Sequence, residues 1–252
     1  MIVLSCVCSN ISKAFPNATV HGVDSSKEMV ERAKQTHTNH TITFSQTTVE
    51  EVVDNVDGGK YDIIYSNAAL HWVLNHETIL PRLVKHRLLK GGIFAFQIPD
   101  TRVQPSHTLM VTAAKNTGYY DDIFVNAVPP VRIPRAEQDP LWYQSILSLS
   151  RNADINHWNT EYVHQLPLVT GDSSSQSTEW PAEHPVCTFT KATGLMPIID
   201  ALKQREDGSD ISYYEEYNRL LYDAYPPYYD KTKNQYVVFF TFRRYFCTAY
   251  YS

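Results

Sequence analysis

Glycine and cysteine are both scarce in this chain, at 9 and 4 of 252 residues. The four cysteines (Cys6, Cys8, Cys187 and Cys247) are too few and too scattered to staple a small disulfide scaffold. Cys6-Val7-Cys8 is not a CxxC pair, and no second pair completes a zinc site, so no metal is expected. Long apolar runs are missing too. The stretch from Tyr236 to Phe242 falls far short of the ~20 residues a membrane span needs, which excludes a membrane partner of that kind. Basic residues are in deficit: 22 Lys and Arg stand against 27 Asp and Glu, a formal net charge of -5. That excludes a nucleic-acid binder working through overall charge, because phosphate contacts need clustered Lys and Arg. Any anionic ligand must therefore meet a local cationic pocket. The apolar stretch from Met1 to Cys8 lacks a basic n-region and is short, so it makes a poor signal peptide and reads instead as a buried strand or strand remnant. With so few thiols, a reducing, cytoplasmic setting is expected.

What is present is a globular profile. Hydrophobic residues make up 43% and charged residues 19%, enough apolar mass for a core in one domain, or one domain with a large insertion. The first half alternates strand and helix signals. Residues 18–23 read as a strand. Ser25 and Glu28 have the spacing of a capping box, and Met29, Val30 and Ala33 give the following helix an apolar stripe. Thr41–Phe44 is rich in β-formers, and Val49, Val52 and Val53 recur at helical spacing. After a break at Gly58-Gly59, Tyr61–Tyr65 reads as a buried strand. Ile79, Leu80, Leu83, Val84 and Leu88 mark a helix face stopped by Gly91-Gly92. Ile93–Ile98 is a second buried strand, ended by Pro99. Such alternation predicts a mostly parallel sheet with helices on both faces.

After Asp100 the periodicity weakens. Pro129-Pro130 and Pro134 punctuate a loop, and residues 171–185 read as an exposed, serine-rich loop. Trp158–His164 has a strand signal. A helix is expected after Pro197 and another over Ile211–Tyr225, followed by a long aromatic strand over Tyr236–Tyr251.

Two places carry chemistry. Asp24 follows a strand, where an open α/β sheet binds ribose hydroxyls; a carboxylate accepts two parallel hydrogen bonds from a diol. The plainer alternative is a cap on the next helix, and NAD-binding folds place an acid at the same point. Asn67 ends the Tyr61 strand and is followed by Ala68, His71 and Trp72. It suits a charged amino group or a loop-holding role, with Trp72 otherwise a packing residue.

Taken together these stretches resemble the class I SAM-dependent methyltransferases, and more closely the trans-aconitate methyltransferase family. The matching runs are GVDSSKEMVERA, YDIIYSNAALHWVLNH, GGIFAFQIPD followed by PSH, ATGLMP and AYPP. The first two are shared with many methyltransferases; SNAALHW, FQIPD and AYPP in that order are far more specific. The resemblance implies a Rossmann-like α/β sheet with helical insertions. Residues 1–100 would form the SAM-binding half, and residues 101–252 the substrate-side insertions with the last strands of the same domain. It implies S-adenosyl-L-methionine as cofactor, a small carboxylic acid as partner, and a monomer. Asp24 would hold the ribose, Ser25 and Met29 would flank the adenosine, and Thr47, Thr48 and Val49 would sit by the adenine. Asn67 and Ala68 would line the methionine end, with His71 and Trp72 near the methyl group. Thr48 stands where an acidic residue commonly meets the adenine amine.

The family also carries a first strand and a glycine-rich loop. Counting back from Asp24, the loop's glycine positions fall near Met1, Val3 and Ser5, yet no glycine stands before Gly22. The expectation is therefore an N-terminally truncated fold whose first strand is short or absent. On the substrate side the candidates are Arg243 and Arg244, with His107, Trp142, Tyr143, Trp158 and Tyr225 as partners. Adjacent strand residues point to opposite faces, so one arginine meets solvent and the other a carboxylate ligand or a fixed Asp or Glu. The implied reaction is methyl transfer to a carboxylate of a small di- or tricarboxylic acid such as trans-aconitate, with no catalytic acid or base. Asn67, His71 and Trp72 would serve orientation alone. The second reading is a truncated or non-catalytic relative that does not bind SAM. The third, an NAD-linked oxidoreductase, lacks its GxGxxG run.

Overall fold

The computed structural model describes residues 2–4, 8–37, 41–55, 57–127, 131, 139–150, 152–168 and 183–252. Pro129-Pro130, Pro134 and residues 171–182 of the serine-rich loop lie outside them.

The first strand exists and is short: β1 is Ile2–Leu4. It is followed by α1 (Cys8–Ala14), β2 (Val20–Asp24), α2 (Lys27–Thr36), β3 (Ile42–Gln46), α3 (Val49–Asp54), β4 (Tyr61–Asn67), a single 3₁₀ turn at Leu70–Trp72, α4 (His76–Arg87) and β5 (Leu88–Pro99). The strand order is β3-β2-β1-β4-β5, continued by β8 (Gln235–Tyr251) and β6 (Ala153–Pro167), with β7 (Tyr228–Asp230) paired to β8. β1 pairs in parallel with β2 on one side, Val3 opposite Gly22, and with β4 on the other, Val3 opposite Tyr65. β2–β3 and β4–β5 are parallel as well, and β5–β8 is antiparallel. This is the α/β architecture expected, with a short central first strand.

Two local readings need correction. The α4 helix stops at Arg87, and Leu88 already belongs to β5, which runs through Gly91 and Gly92. Leu88 is fully buried, as a helix-face residue would be, so periodicity could not separate the two cases. At α2 the N-cap is Ser26, whose side chain accepts from the Met29 amide, so Ser25 and Glu28 form no capping box. The capping box is at α3. Thr48 Oγ1 accepts from the Glu51 amide at 3.1 Å while Glu51 Oε2 accepts from the Thr48 amide at 2.8 Å.

The chain divides into two compact units. The first comprises Met1–Pro99, Arg135–Thr160 and Arg244–Ser252, and the second Asp100–Pro134 and Glu161–Arg243. The chain thus returns twice to its first unit after residue 100. The long strands β6 and β8 hide this in the sequence, since each changes unit without a break in pattern.

In the first unit, Ile64 of β4 and Phe94 and Phe96 of β5 pack with Leu80, Leu83 and Val84 of α4. Tyr143 and Leu147 of α7 (Pro140–Ser148) join them. Each such side chain contributes about 1.5–3 kcal/mol on burial. Gly22 is demanded by packing: a Cβ there would lie 2.7 Å from the Phe44 ring and 2.8 Å from Cys8 Sγ. The second unit is built on α5 (Pro105–Asn116), α6 (Tyr120–Phe124), α8 (Pro185–Thr190), α9 (Met196–Lys203) and α10 (Ser209–Ala224). The helices expected near Pro197 and over 211–225 are α9 and α10. Met110, Ile198, Leu202, Tyr213, Tyr217 and Phe240 are central to its core.

His107 lies in that second core, 6% exposed, with Nδ1 2.9 Å from Ser106 Oγ and its ring against Phe242. Burial pushes its pKa down from 6.5 to about 4. His184 and His21 are lowered for the same leading reason. The unfolded chain therefore binds more protons than the folded one between these values. Stability is full above about pH 6.5 and declines as pH falls toward 4. Urea unfolding is expected to show about 2 kcal/mol less stability at pH 5 than at pH 7.5 from His107 alone. A His107→Gln variant should lose most of that pH dependence; an unchanged slope would place the proton uptake elsewhere.

Candidate functional site

A cleft of about 480 Å³ opens in the first unit at the carboxyl ends of β2 and β4 and in the loop after β3. Sheet order reverses at β1, between β2 and β4, and open α/β sheets bind ligands at this reversal point. The volume is in the range of small-molecule and cofactor sites.

Asp24 ends β2 and lines one wall. Its Oδ1 accepts from the Ser26 amide at 2.8 Å, which turns the chain into α2 and holds the carboxylate near a helix N-terminus. Thr47 N donates to the Asp24 carbonyl at 3.0 Å, tying the β3–α3 loop to the same point. Ser25 and Met29 lie beside Asp24, with Met29 in the first turn of α2. Thr47, Thr48 and Val49 form the next wall. Thr47 Oγ1 donates to Glu51 Oε2 at 2.9 Å, and these hydrogen bonds, led by the Thr48 amide, hold the Glu51 carboxyl below its ordinary range. The Thr48 hydroxyl is thus a helix cap as well as a lining group.

Asn67, Ala68 and Trp72 close the third side. Ala68 has φ 51°, a left-handed conformation costing roughly 1–2 kcal/mol for a residue with a Cβ. Its amide donates to the Gln97 carbonyl at 2.9 Å, which holds the turn. Such strain collects at ligand sites, where surrounding structure over-determines the backbone. Trp72 is 53% exposed at the cleft, while His71 is buried behind it with ring centroids 5.2 Å apart. His71 does not line the cleft.

All nine residues that the resemblance assigns to the cofactor (Asp24, Ser25, Met29, Thr47, Thr48, Val49, Asn67, Ala68 and Trp72) thus line one cleft. Val23, Glu50, Ala69 and Val73 line it too and were not foreseen. The readable signal for Glu50 was the Thr48-x-x-Glu51 spacing, which places it in the first turn of α3.

The expected substrate residues are dispersed, and none of them lines the cleft. Tyr143 is fully buried in the first core, its hydroxyl 2.9 Å from His76 Nδ1. His76 Nε2 lies 2.8 Å from the Leu70 carbonyl. A carbonyl only accepts, so Nε2 donates and Nδ1 accepts from Tyr143. Tyr143 therefore braces the turn that carries Trp72, and is a core residue instead of a ligand contact. Trp142 is partly buried, packed edge-on to Tyr143 at 5.1 Å. Trp158 stacks on Phe246 at 5.2 Å. In the second unit, Tyr225 is 7% exposed and its hydroxyl accepts from the Ser106 amide at 3.1 Å. His107 is buried there as described. The polar ends of Tyr143, Tyr225 and His107 are engaged by the fold.

The two arginines have different partners. Arg243 Nε lies 3.4 Å from Oδ2 of Asp100, a buried carboxylate that Arg102 also contacts at 2.9 Å. This is the fixed acid that one face of the strand required. Arg244 Nη1 donates to Gln97 Oε1 at 3.1 Å. Among the described residues, no group of His, Cys, Asp and Glu is arranged to hold a metal ion. Among them, too, no helix is long and apolar enough to cross a membrane.

The family described as "Methyltransferase domain" matches residues 5–148. Trans-aconitate 2-methyltransferase of Mycobacterium tuberculosis (strain H37Ra) is 31% identical over 242 residues, covering 95% of this chain and 78% of its own. The Paracidovorax citrulli protein of the same name is 31% identical over 212 residues, covering 84% and 72%. Among solved structures, the YcgJ protein of Bacillus subtilis aligns over 99% of this chain and 91% of its own, with TM-score 0.51 and 15% identity. A Bacillus halodurans protein aligns over 99% and 90%, with TM-score 0.52 and 10% identity. At those identities the two structures speak to the fold.

The double duty of Thr48 gives a direct test. Thr48→Ala should cost about 1 kcal/mol in denaturant unfolding through loss of the α3 cap, and Thr48→Ser should recover most of it. Equal stability of all three proteins would remove the capping role.

Proposed function

The chain belongs to the SAM-dependent methyltransferase family, among relatives of trans-aconitate 2-methyltransferase, and from that membership we propose that it methylates a carboxylate of a small di- or tricarboxylic acid such as trans-aconitate. One observation carries the reading: the nine residues implied for the cofactor converge on one cleft at the reversal point of the sheet.

The donor set fits SAM. Asp24 supplies a carboxylate whose Oδ1 is already fixed by Ser26, as bidentate capture of a ribose diol requires. Met29 and Val49 offer apolar surface to the adenosine, and the Thr47–Thr48 wall and Glu50 offer polar atoms at the adenine end. Asn67 and Ala68 take the methionine end. Bound SAM supplies an activated methyl on a sulfonium. A carboxylate acceptor is ionised at neutral pH and needs no general base. The protein's task is to orient one carboxylate oxygen and exclude water, with exposed Trp72 at the cleft as the group suited to cover it. For the acid's other carboxylate we assign Arg244, which belongs to the same unit as the cleft. A cytoplasmic monomer acting on a free small molecule completes the reading.

Asp24→Asn keeps the oxygen that accepts from Ser26 but removes the charge. It should lower affinity for S-adenosylhomocysteine tenfold or more by calorimetry, since a charge-assisted contact is worth about 1.5–3 kcal/mol, and leave thermal stability near wild type. Wild-type protein with SAM and trans-aconitate should yield a monomethyl ester by mass spectrometry. Lack of S-adenosylhomocysteine binding by the wild type would establish the non-binding relative instead.

A further inference from the structure

Gln97 sits in the FQIPD run, buried at 7% exposure, and does not line the cleft. Its side chain nevertheless joins two residues already singled out. Arg244 Nη1 donates to Gln97 Oε1 at 3.1 Å, and Gln97 Nε2 donates to Asn67 Oδ1 at 2.9 Å. All three belong to the first unit. Backbone pairing fixes the spacing: Asn67 is opposite Gln97 across β4–β5, and Pro99 is opposite Arg244 across β5–β8.

The chemistry of this chain runs one way only. A guanidinium has five donors and no acceptor, so whatever faces Arg244 must accept. Gln97 must then present its oxygen to Arg244 and its amino group to Asn67. Asn67 must in turn present its oxygen to Gln97, which leaves its Nδ2 amino group as the polar end that meets the cleft. We propose that Arg244 and Gln97 are positioning residues that fix the polarity of the Asn67 amide, making Asn67 an N–H donor for a carboxylate bound in the cleft. The sequence alone left open whether Asn67 accepts from an amino group; the direction of the relay decides for donation. The inference rests on the methyltransferase reading, in which both the methionine end of the cofactor and the substrate bring a carboxylate.

The test uses the full-length protein and two substitutions. Gln97→Glu retains size and the pairing with Arg244 but offers Asn67 only acceptors. The Asn67 amide must then turn its amino group inward and its oxygen to the cleft. Affinity for S-adenosylhomocysteine, which carries the carboxylate, should fall at least about tenfold, the scale of one lost charge-assisted hydrogen bond. Affinity for 5′-methylthioadenosine, which lacks the carboxylate, should stay at wild type. If the carboxylate is the substrate's, S-adenosylhomocysteine binding is kept and KM for the acid rises by a similar factor.

Asn67→Asp supplies a readout that needs no ligand. Gln97 already donates to that oxygen, so thermal stability should stay within about 2 °C of wild type. A loss of about 5 °C or more, against an unaffected Gln97→Glu, would mean that Asn67 donates to Gln97, and would overturn the proposal. So would wild-type affinity and KM in both variants. Absence of S-adenosylhomocysteine binding in the unmodified protein would sink the functional reading, while the stability comparison would still judge the relay.

Discussion

The hydrogen bonding of Ile2–Leu4 joins the two parts of the sheet. β3 and β2 lie on one side of these residues and β4 and β5 on the other. Asp24 ends a strand on one side and Asn67 a strand on the other, so the distance across the cleft is set by a strand three residues long. Longer elements gain stability from their own length; this one depends on being paired along both edges. Gly22, opposite Val3, serves the same junction by letting Phe44 and Cys8 close in where a side chain would collide. The geometry of the cleft thus rests on a small number of backbone pairings at the centre of the sheet.

Polar groups around the cleft each do structural work first. Asp24 turns the chain into α2, Thr48 caps α3, and the Ala68 amide is held by the Gln97 carbonyl. A ligand would therefore meet atoms already immobilised by the fold, which lowers the ordering cost of binding. The same economy explains the buried aromatics that follow Asp100. Tyr143, Tyr225 and His107 are polar enough to look like ligand contacts in a sequence, and each spends its polar atom inside a core.

What was legible follows from this. The residues expected to hold the cofactor line one cleft because they sit at strand ends and first helical turns, positions fixed by local pattern, and short runs such as SNAALHW carry them. The parallel sheet was readable from strand–helix alternation for the same reason. The partners of the residues expected on the substrate side were not, because they depend on long-range packing that no spacing records: Arg243 meets Asp100 and Arg244 meets Gln97 from more than a hundred positions away. Leu88 shows the limit at an element boundary, where a buried side chain fits a helix face and a strand start equally well. The capping rule was sound but placed at Ser25 instead of Thr48, since several hydroxyls precede acids in this stretch.

The close approach around Gly22 gives the junction its own clock. Cys8 is fully buried with Sγ 2.8 Å from where a Gly22 Cβ would stand, so a solvent-borne reagent does not reach the thiol while the sheet is closed. Alkylation of that thiol must wait for β2 and α1 to part. Its rate under slow-labelling conditions therefore reports the free energy of opening at the seam on which the cleft is hung, residue-specifically and without any ligand.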